Sequence, residues 1–330
     1  MSGAQAHGHA RSNPDACSVL WDTAEASALG TAPAATFWVA LEQNGPWGRE
    51  AATQSHLDPE IGTVLDRSCQ ESGGRFILIR RPGAHPDAQV AHPQRVYVAG
   101  GLADRPWLLE ADLLDPALLL RLPWADLVRG DIEAVQDTLP ELEHSPAPVL
   151  MICGNSRRDV CCAVRGRPVA LDSSSQRPGR VWECSHTGGH RFAPTGVLLP
   201  HGQSFARLSI AAAVAALDAA SRDEVFTGLL GTAYDRGRSH LTPPAQAAES
   251  AIRQQIQEVK LLALSTMATP QPGKDDAWHC RVSHIDGRHW DVVAIRESGG
   301  EDRPESCGKA PVSTWQWSVL RSSDLIASGR

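Results

Sequence analysis

VLMICGNSRRDVCCA, from Val149 to Ala163, and WECSHTGGHRFAPTGVLLPHG, from Trp182 to Gly202, are the stretches that decide how this chain is read. The first opens on a short apolar run, Val149 to Cys153, of the kind that forms a buried strand, and then breaks into a polar loop. Further strands are expected over Arg180 to Ser185 and over Gly196 to Leu199, the latter ended by Pro200. A helix over Arg207 to Ala220 follows, with Leu208, Ala212, Ala215 and Ala219 on one stripe. Residues Ala163 to Arg180 hold two prolines and three consecutive serines, so any helix there must be short or irregular. Strand, loop, strand, strand and helix make an α/β unit in which Val149 opens a second sheet.

The same stretches carry the candidate chemistry. Cys153 stands at a strand end, Cys162 follows it across an eight-residue spacer, and His186 and His190 are separated by Thr187, Gly188 and Gly189. Two soft thiolates and two imidazoles are a metal-ligating set, and the glycines let backbone come close to whatever the loop wraps. Arg157 and Arg158 in the first loop would favour thiolates there. A zinc module competes, because H-x3-H is a zinc spacing, although C-x8-C is wider than the usual knuckle. A thiol oxidoreductase using Cys161 or Cys162 is the other competitor, without the C-x-x-C that thioredoxin chemistry uses. Spacing alone leaves Cys161 and Cys162 as alternatives. Cys184, two residues before His186 on a strand, faces the same way and is expected beside the site rather than in it.

Working outward, TFWVALEQ at Thr36 to Gln43 is a strand stopped by Asn44-Gly45-Pro46, and Asp58 with Pro59 starts a helix bearing Ile61, Val64 and Leu65. Phe76 to Arg80, Val96 to Ala99 and Trp107 to Leu113 are further strands. Beyond Thr242, a capping residue, Ala248, Ile252, Ile256, Val259 and Ala263 define an amphipathic helix. Arg281 to Arg296 forms a hairpin about Asp286-Gly287, and TWQWSVL at Thr314 to Leu320 is a last strand. The expected units are a flexible tail at 1–15, an α/β half at 16–145, a site-bearing half at 146–243 and a small α/β extension at 244–330. Both halves open on a strand running into a Gly-bearing loop, which hints at an internal duplication.

At 330 residues, 42% hydrophobic and 21% charged, the chain has ample material for a packed core. A net charge of -7 with no basic stripe argues against nucleic acid. No apolar run is long enough for a membrane span, and the first residues lack the pattern of a secretory signal, so a cytoplasmic protein is expected. Its eight cysteines are then free thiols or ligands rather than disulfides. Cys17, Cys69, Cys280 and Cys307 stand isolated and are assigned no function. His279, His284 and His289 alternate across strand faces instead of converging, and Trp47, Trp315 and Trp317 are expected to pack interfaces.

GPWG at 45–48, RDVCCA at 158–163, HTGGHRFAP at 186–194 and RGRSHLTPPAQAAE at 236–249 together resemble the sucrase/ferredoxin-like family. The resemblance spans Cys17 to about Arg253 and implies thioredoxin-like domains, a degenerate first half and a cluster-binding second half. It also implies a 2Fe-2S cluster with Cys153 and Cys162 on one iron and His186 and His190 on the other, and it chooses Cys162 over Cys161. Gly154-Asn155 after the first cysteine departs from the His or Thr-His often found in the family, without removing a ligand. The implied role is one-electron transfer to a protein partner, closer to a carrier than to an enzyme. Sugar hydrolysis, suggested by the family's name, would need two positioned carboxylates, and no convincing pair presents itself.

Overall fold

The computed structural model describes residues 13–83 and 93–321. The expected flexible tail lies outside the described residues up to position 12; Asn13 accepts from the backbone of Asp15 and Ala16 and leads straight into α1 (Cys17–Thr23).

The β-forming run before Asn44-Gly45-Pro46 becomes β1 (Trp38–Glu42), buried along its whole length. Asp58 accepts from the backbone of Glu60 at 2.8 Å and caps α2 (Pro59–Glu71), which turns Leu65 and Cys69 inward. β2 (Arg75–Arg80), β3 (Gln94–Gly100) and β4 (Trp107–Leu113) follow, then α3 (Trp124–Arg129), α4 (Ile132–Thr138) and a two-residue β5 (Glu143–His144). The second half repeats the plan: β6 (Val149–Cys153), α5 (Arg167–Gln176), β7 (Val181–Cys184), β8 (Gly196–Leu199), β9 (Gln203–Phe205), α6 (Ile210–Ala220) and β10 (Asp235–Arg238). In each half the first strand pairs parallel to the second and antiparallel to the third, which pairs antiparallel to the fourth. The duplication hinted at by the sequence is therefore visible as repeated topology.

Val149 does not open a second sheet. The parallel strands β2 and β7 meet edge to edge, antiparallel, and all ten strands form one mixed sheet. The seam has two registered pairs, Ile79 with Cys184 and Arg80 with Glu183, and the latter is a buried ion pair with Nη2 to Oε2 at 2.6 Å. Joining the two halves this way leaves neither β2 nor β7 as an open edge. The sheet is also folded at this seam. Tyr97 on β3 and Trp182 on β7 are three strands apart, which would separate them by about 14 Å in a flat sheet, yet their rings meet edge-on at 5.9 Å. The inner faces of the halves thus pack together around Trp38, Tyr97, Met151 and Trp182, while α2, α3 and α4 cover one outer face and α5 and α6 the other.

Some boundaries move for local reasons. α6 starts at Ser209, which caps Ala212, because Arg207 is left-handed at φ +51°. The last helix, α7 (Pro243–Ile256), ends at a left-handed Gln257, so Val259 and Ala263 lie beyond it, and Thr242 makes no side-chain cap. A four-stranded antiparallel sheet follows: β11 (Leu264–Pro270), β12 (Ala277–His284), β13 (His289–Ser298) and β14 (Trp315–Arg321). It packs on Ala247, Ala248 and Ile252 of α7 with Trp317 buried between, whereas Trp315 stays 38% exposed. Trp47 is buried beneath the Arg80 guanidinium, 4.4 Å from its ring centre. His284 binds Glu258 at 2.7 Å while His279 and His289 are exposed, so these histidines do not converge. Among the described residues no helix is long and apolar enough to cross a membrane.

The extension is tied to the large sheet by a buried bidentate pair, Arg238 on β10 to Glu249 on α7, with both bonds at 2.8 Å. Arg238 also donates to the Leu264 carbonyl, and Thr266 donates to Glu249. Removing one member strands a buried charge. Glu249→Gln is expected to cost about 3–5 kcal/mol, read as a lowered urea midpoint of the full chain, and a change within 0.5 kcal/mol or so, ordinary for a surface site, would show that the pair does not join the units.

Candidate metal centre

β6 and β7 run parallel and side by side, with Cys153 in register with Cys184 at their ends. Beyond Cys153 the chain makes a polar loop and returns through a π-helical turn, Cys162–Gly166, a feature common at functional sites. A Cβ on Gly166 would sit 2.2 Å from the Cys153 carbonyl oxygen, so only glycine lets that turn press on the strand end. This contact brings Cys162 back beside Cys153 in the inner core. The adjacent Cys162 thiol, with His186 also alongside, holds the Cys153 thiol low, and Cys162 is pushed up in turn.

The histidine loop leaves β7 through Ser185, whose N–H donates to Leu78 across the seam at 2.8 Å. Gly188 and Gly189 are both left-handed, at φ +68°, and fold the loop so that the His186 and His190 rings lie 6.1 Å apart between centres. Thr187 and Thr195, both buried, are hydrogen-bonded at 3.0 Å and close the loop against the start of β8. In both rings Nδ1 is buried and has no hydrogen-bond partner, an arrangement that costs free energy unless something else binds there. His190 Nε2 faces the fully buried Asp159 at 4.0 Å, and burial keeps the ring toward its neutral, ligand-ready form. Cys153 and Cys162 are thus neighbours with His186 alongside, and the His190 ring lies 6.1 Å from that of His186; thiols and unpartnered imidazole nitrogens are donors that suit a soft or borderline metal. His186 also lines a cleft of about 150 Å³ with Arg75, Arg158, Asp66 and Gln70.

Cys161 goes elsewhere. Successive residues of a helical turn point about 100° apart, so Cys162 enters the inner core with Cys153 while Cys161 packs with Ala16, Cys17 and Ala193. Cys184 is buried behind Cys153, and burial pushes its thiol up, as suits a packed neighbour. The arginines expected to support the thiolates do not: Arg157 is exposed, and Arg158 pairs outward with Glu50 at 2.8 Å. Their place is taken by Arg236, fully buried on β10, which donates to the carbonyls of Thr187 (3.3 Å) and Gly188 (3.1 Å) and to both oxygens of Thr31. Burial lowers it to about 9, so it stays charged at neutral pH. Sequence reading missed it because an arginine in a polar RGR stretch looks like surface; the one available signal was the glycine beside it in a strand.

The chain belongs to the sucrase/ferredoxin-like family, whose model matches residues 29–229. The match covers both halves of the large sheet through β9 and α6, and stops short of Arg236–Glu249 and the extension. No curated protein and no solved structure matches the chain.

The two glycines separate backbone strain from packing. A Cβ on Gly188 meets only Arg236 Nη2 at 3.8 Å, whereas one on Gly189 lies 2.6 Å from the same atom and 2.8 Å from the guanidinium carbon. Gly188→Ala is expected to lose about 1–2 kcal/mol for its left-handed backbone, and Gly189→Ala more, because Arg236 must also move. Urea unfolding of the two variants side by side tests this, and equal losses would show that Arg236 does not brace the loop.

Proposed function

We propose that this chain is a one-electron carrier whose 2Fe-2S cluster is held by Cys153 and Cys162 on one iron and His186 and His190 on the other. The observation that carries the reading is the pair of buried, unpartnered Nδ1 atoms on a loop beside the adjacent thiols of Cys153 and Cys162. The family's ferredoxin-like description and the strand order shared by the two halves, which is that of a thioredoxin-like unit, support it. When bound, the cluster supplies the one-electron redox change. The protein's own residues do the rest. Cys153 and Cys162 provide anionic ligands on the end of β6 and its return turn, and Gly188 and Gly189 aim the imidazoles. Arg236 keeps a fixed positive charge behind the histidine loop, which favours added negative charge at the centre. The partly exposed histidines set the centre near the surface, where a redox partner protein gains access. No side chain is asked to act as nucleophile or general base. Eight free cysteines fit a reducing, cytoplasmic compartment. A dithiol role for Cys161 and Cys162 is disfavoured, because the two point into different clusters.

Freshly purified protein should be brown, with about two irons and two acid-labile sulfides per chain; colourless protein that takes up no iron on anaerobic reconstitution would sink the reading. Cys153→Ser and Cys162→Ser should abolish the absorption, while Cys161→Ser and Cys184→Ser retain most of it.

Ligand identity should also set the potential. Neutral imidazoles replace anionic thiolates at two positions, so the centre is expected above the about -400 mV of plant-type ferredoxins, toward the about -150 to +300 mV span of Rieske centres. His186→Cys or His190→Cys should keep a cluster and lower the potential. Protein-film voltammetry decides: a plant-type value unmoved by either substitution would exclude histidine ligation even in a brown protein.

A further inference from the structure

Cys17 and Cys307, isolated in sequence, meet Cys161 in space. Their Sγ atoms lie 3.5 Å (Cys17 to Cys161), 3.1 Å (Cys161 to Cys307) and 3.5 Å (Cys17 to Cys307) apart. Both carboxylate oxygens of Asp159 are 3.8 Å from the Cys17 sulfur. We propose that Cys17, Cys161, Cys307 and Asp159 form a second, mononuclear metal site that takes zinc(II).

The geometry suits one ion. One donor atom from each of the four residues falls within 4.8 Å of all the others. A tetrahedral zinc at about 2.3 Å from sulfur needs sulfurs about 3.8 Å apart, so every thiol pair need only spread by less than about 1 Å. A disulfide would need about 2.05 Å and would leave one thiol of the three over. Ligands this close cannot span a multi-iron cluster. Three thiolates with one carboxylate and no open position make a closed, structural type of site.

Asp159 supplies an independent argument. Its side chain is fully buried, and no Arg or Lys among the described residues pairs with it; the basic group facing it is His190 Nε2, 4.0 Å away. A buried carboxylate facing three sulfurs lacks a compensating charge, which a divalent cation would provide. The carboxylate is already held in place. Cys161 N–H donates to Oδ1 at 2.8 Å, and Ser306 Oγ and Cys307 N–H donate to Oδ2 at 2.8 and 2.9 Å. Such bonds orient a metal-ligating carboxylate and leave its remaining lone pairs for the ion.

The ligands come from three parts of the chain: the first residue of α1, the loop after β6, and the loop between β13 and β14. That last loop is also docked by Trp21 Nε1 to the Pro304 carbonyl at 3.0 Å and by Arg191 to Glu305 at 3.2 Å. Zinc would therefore clip the extension and the amino-terminal helix onto the loop that carries Cys162, and stabilise the folded chain by binding it in preference to the unfolded one. This site does not depend on the electron-carrier reading.

Metal analysis of the full chain, purified without chelator, should find one zinc per chain besides any iron. Cys17→Ser and Cys307→Ser should lose the zinc and keep iron and sulfide, and Cys153→Ser should do the reverse. Cobalt(II) added to zinc-stripped wild-type protein should give intense tetrahedral d–d and thiolate-to-metal charge-transfer bands, which keeps the test open if a serine variant fails to fold. Wild-type protein with no zinc and no such cobalt spectrum overturns the proposal. Zinc retained in Cys307→Ser but lost in Cys153→Ser does so too.

Discussion

The short antiparallel seam between β2 and β7 is the constraint on which the rest of the structure rests. Each half, taken alone, would expose its parallel second strand as an open edge, and the pairing of these two edges satisfies both at once. Two registered pairs are too few to hold a flat ten-stranded sheet, and what secures them is lateral. Arg80 and Glu183 are buried together, Arg80 lies over Trp47, and Ser185 bonds Leu78 through both its backbone and its hydroxyl. Because the sheet folds there, the inner faces of the halves become one core, and the ends of β6 and β7 are fixed at its margin.

The candidate site takes its shape from that seam. Glu183, the acidic member of the buried pair, stands directly behind the loop after Cys153, where a Cβ on Gly154 would approach its carboxylate to 2.9 Å. Arg167 reaches from α5 to the Gly154 carbonyl at 2.9 Å. The first ligand loop is thus braced by charges belonging to the junction of the halves, and the histidine loop is braced from β10 by Arg236. Each loop is braced by a different element of the second half, and the first half adds Arg80, paired with Glu183, and Thr31, bonded to Arg236.

Adjacent cysteines with separate fates follow from the same geometry. The turn that presses Gly166 onto Cys153 points Cys162 inward and Cys161 toward α1 and the β13–β14 loop. Asp159 sits between the two groups, bonded to the backbone of Cys161 and Cys307 and facing His190. One nine-residue stretch, Cys153 to Cys161, therefore connects the candidate site within the family-matched region to a thiol group that reaches beyond it to Cys307.

Residues close in sequence determined much of this protein unaided. The strand over TFWVALEQ, the Asp58-capped helix, the buried run ending at Cys153, the H-x3-H loop with its glycines and the repeated plan of the halves all follow from local patterning, because turns, caps and periodicity act over a few residues. The two loops that carry Cys153, Cys162, His186 and His190 were legible too, each leaving one of two neighbouring strand ends. What tertiary structure alone decided involves partners far apart in the chain. The joining and folding of the sheet depends on Arg80 meeting Glu183, 103 residues away. The convergence of Cys17 and Cys307 spans 290 residues. The burial of Arg236 behind the histidine loop requires β10 to cross under it, and the choice between Cys161 and Cys162 turns on which side of one helical turn each faces. No local pattern encodes these contacts, because their energy comes from surfaces that exist only once the halves have packed.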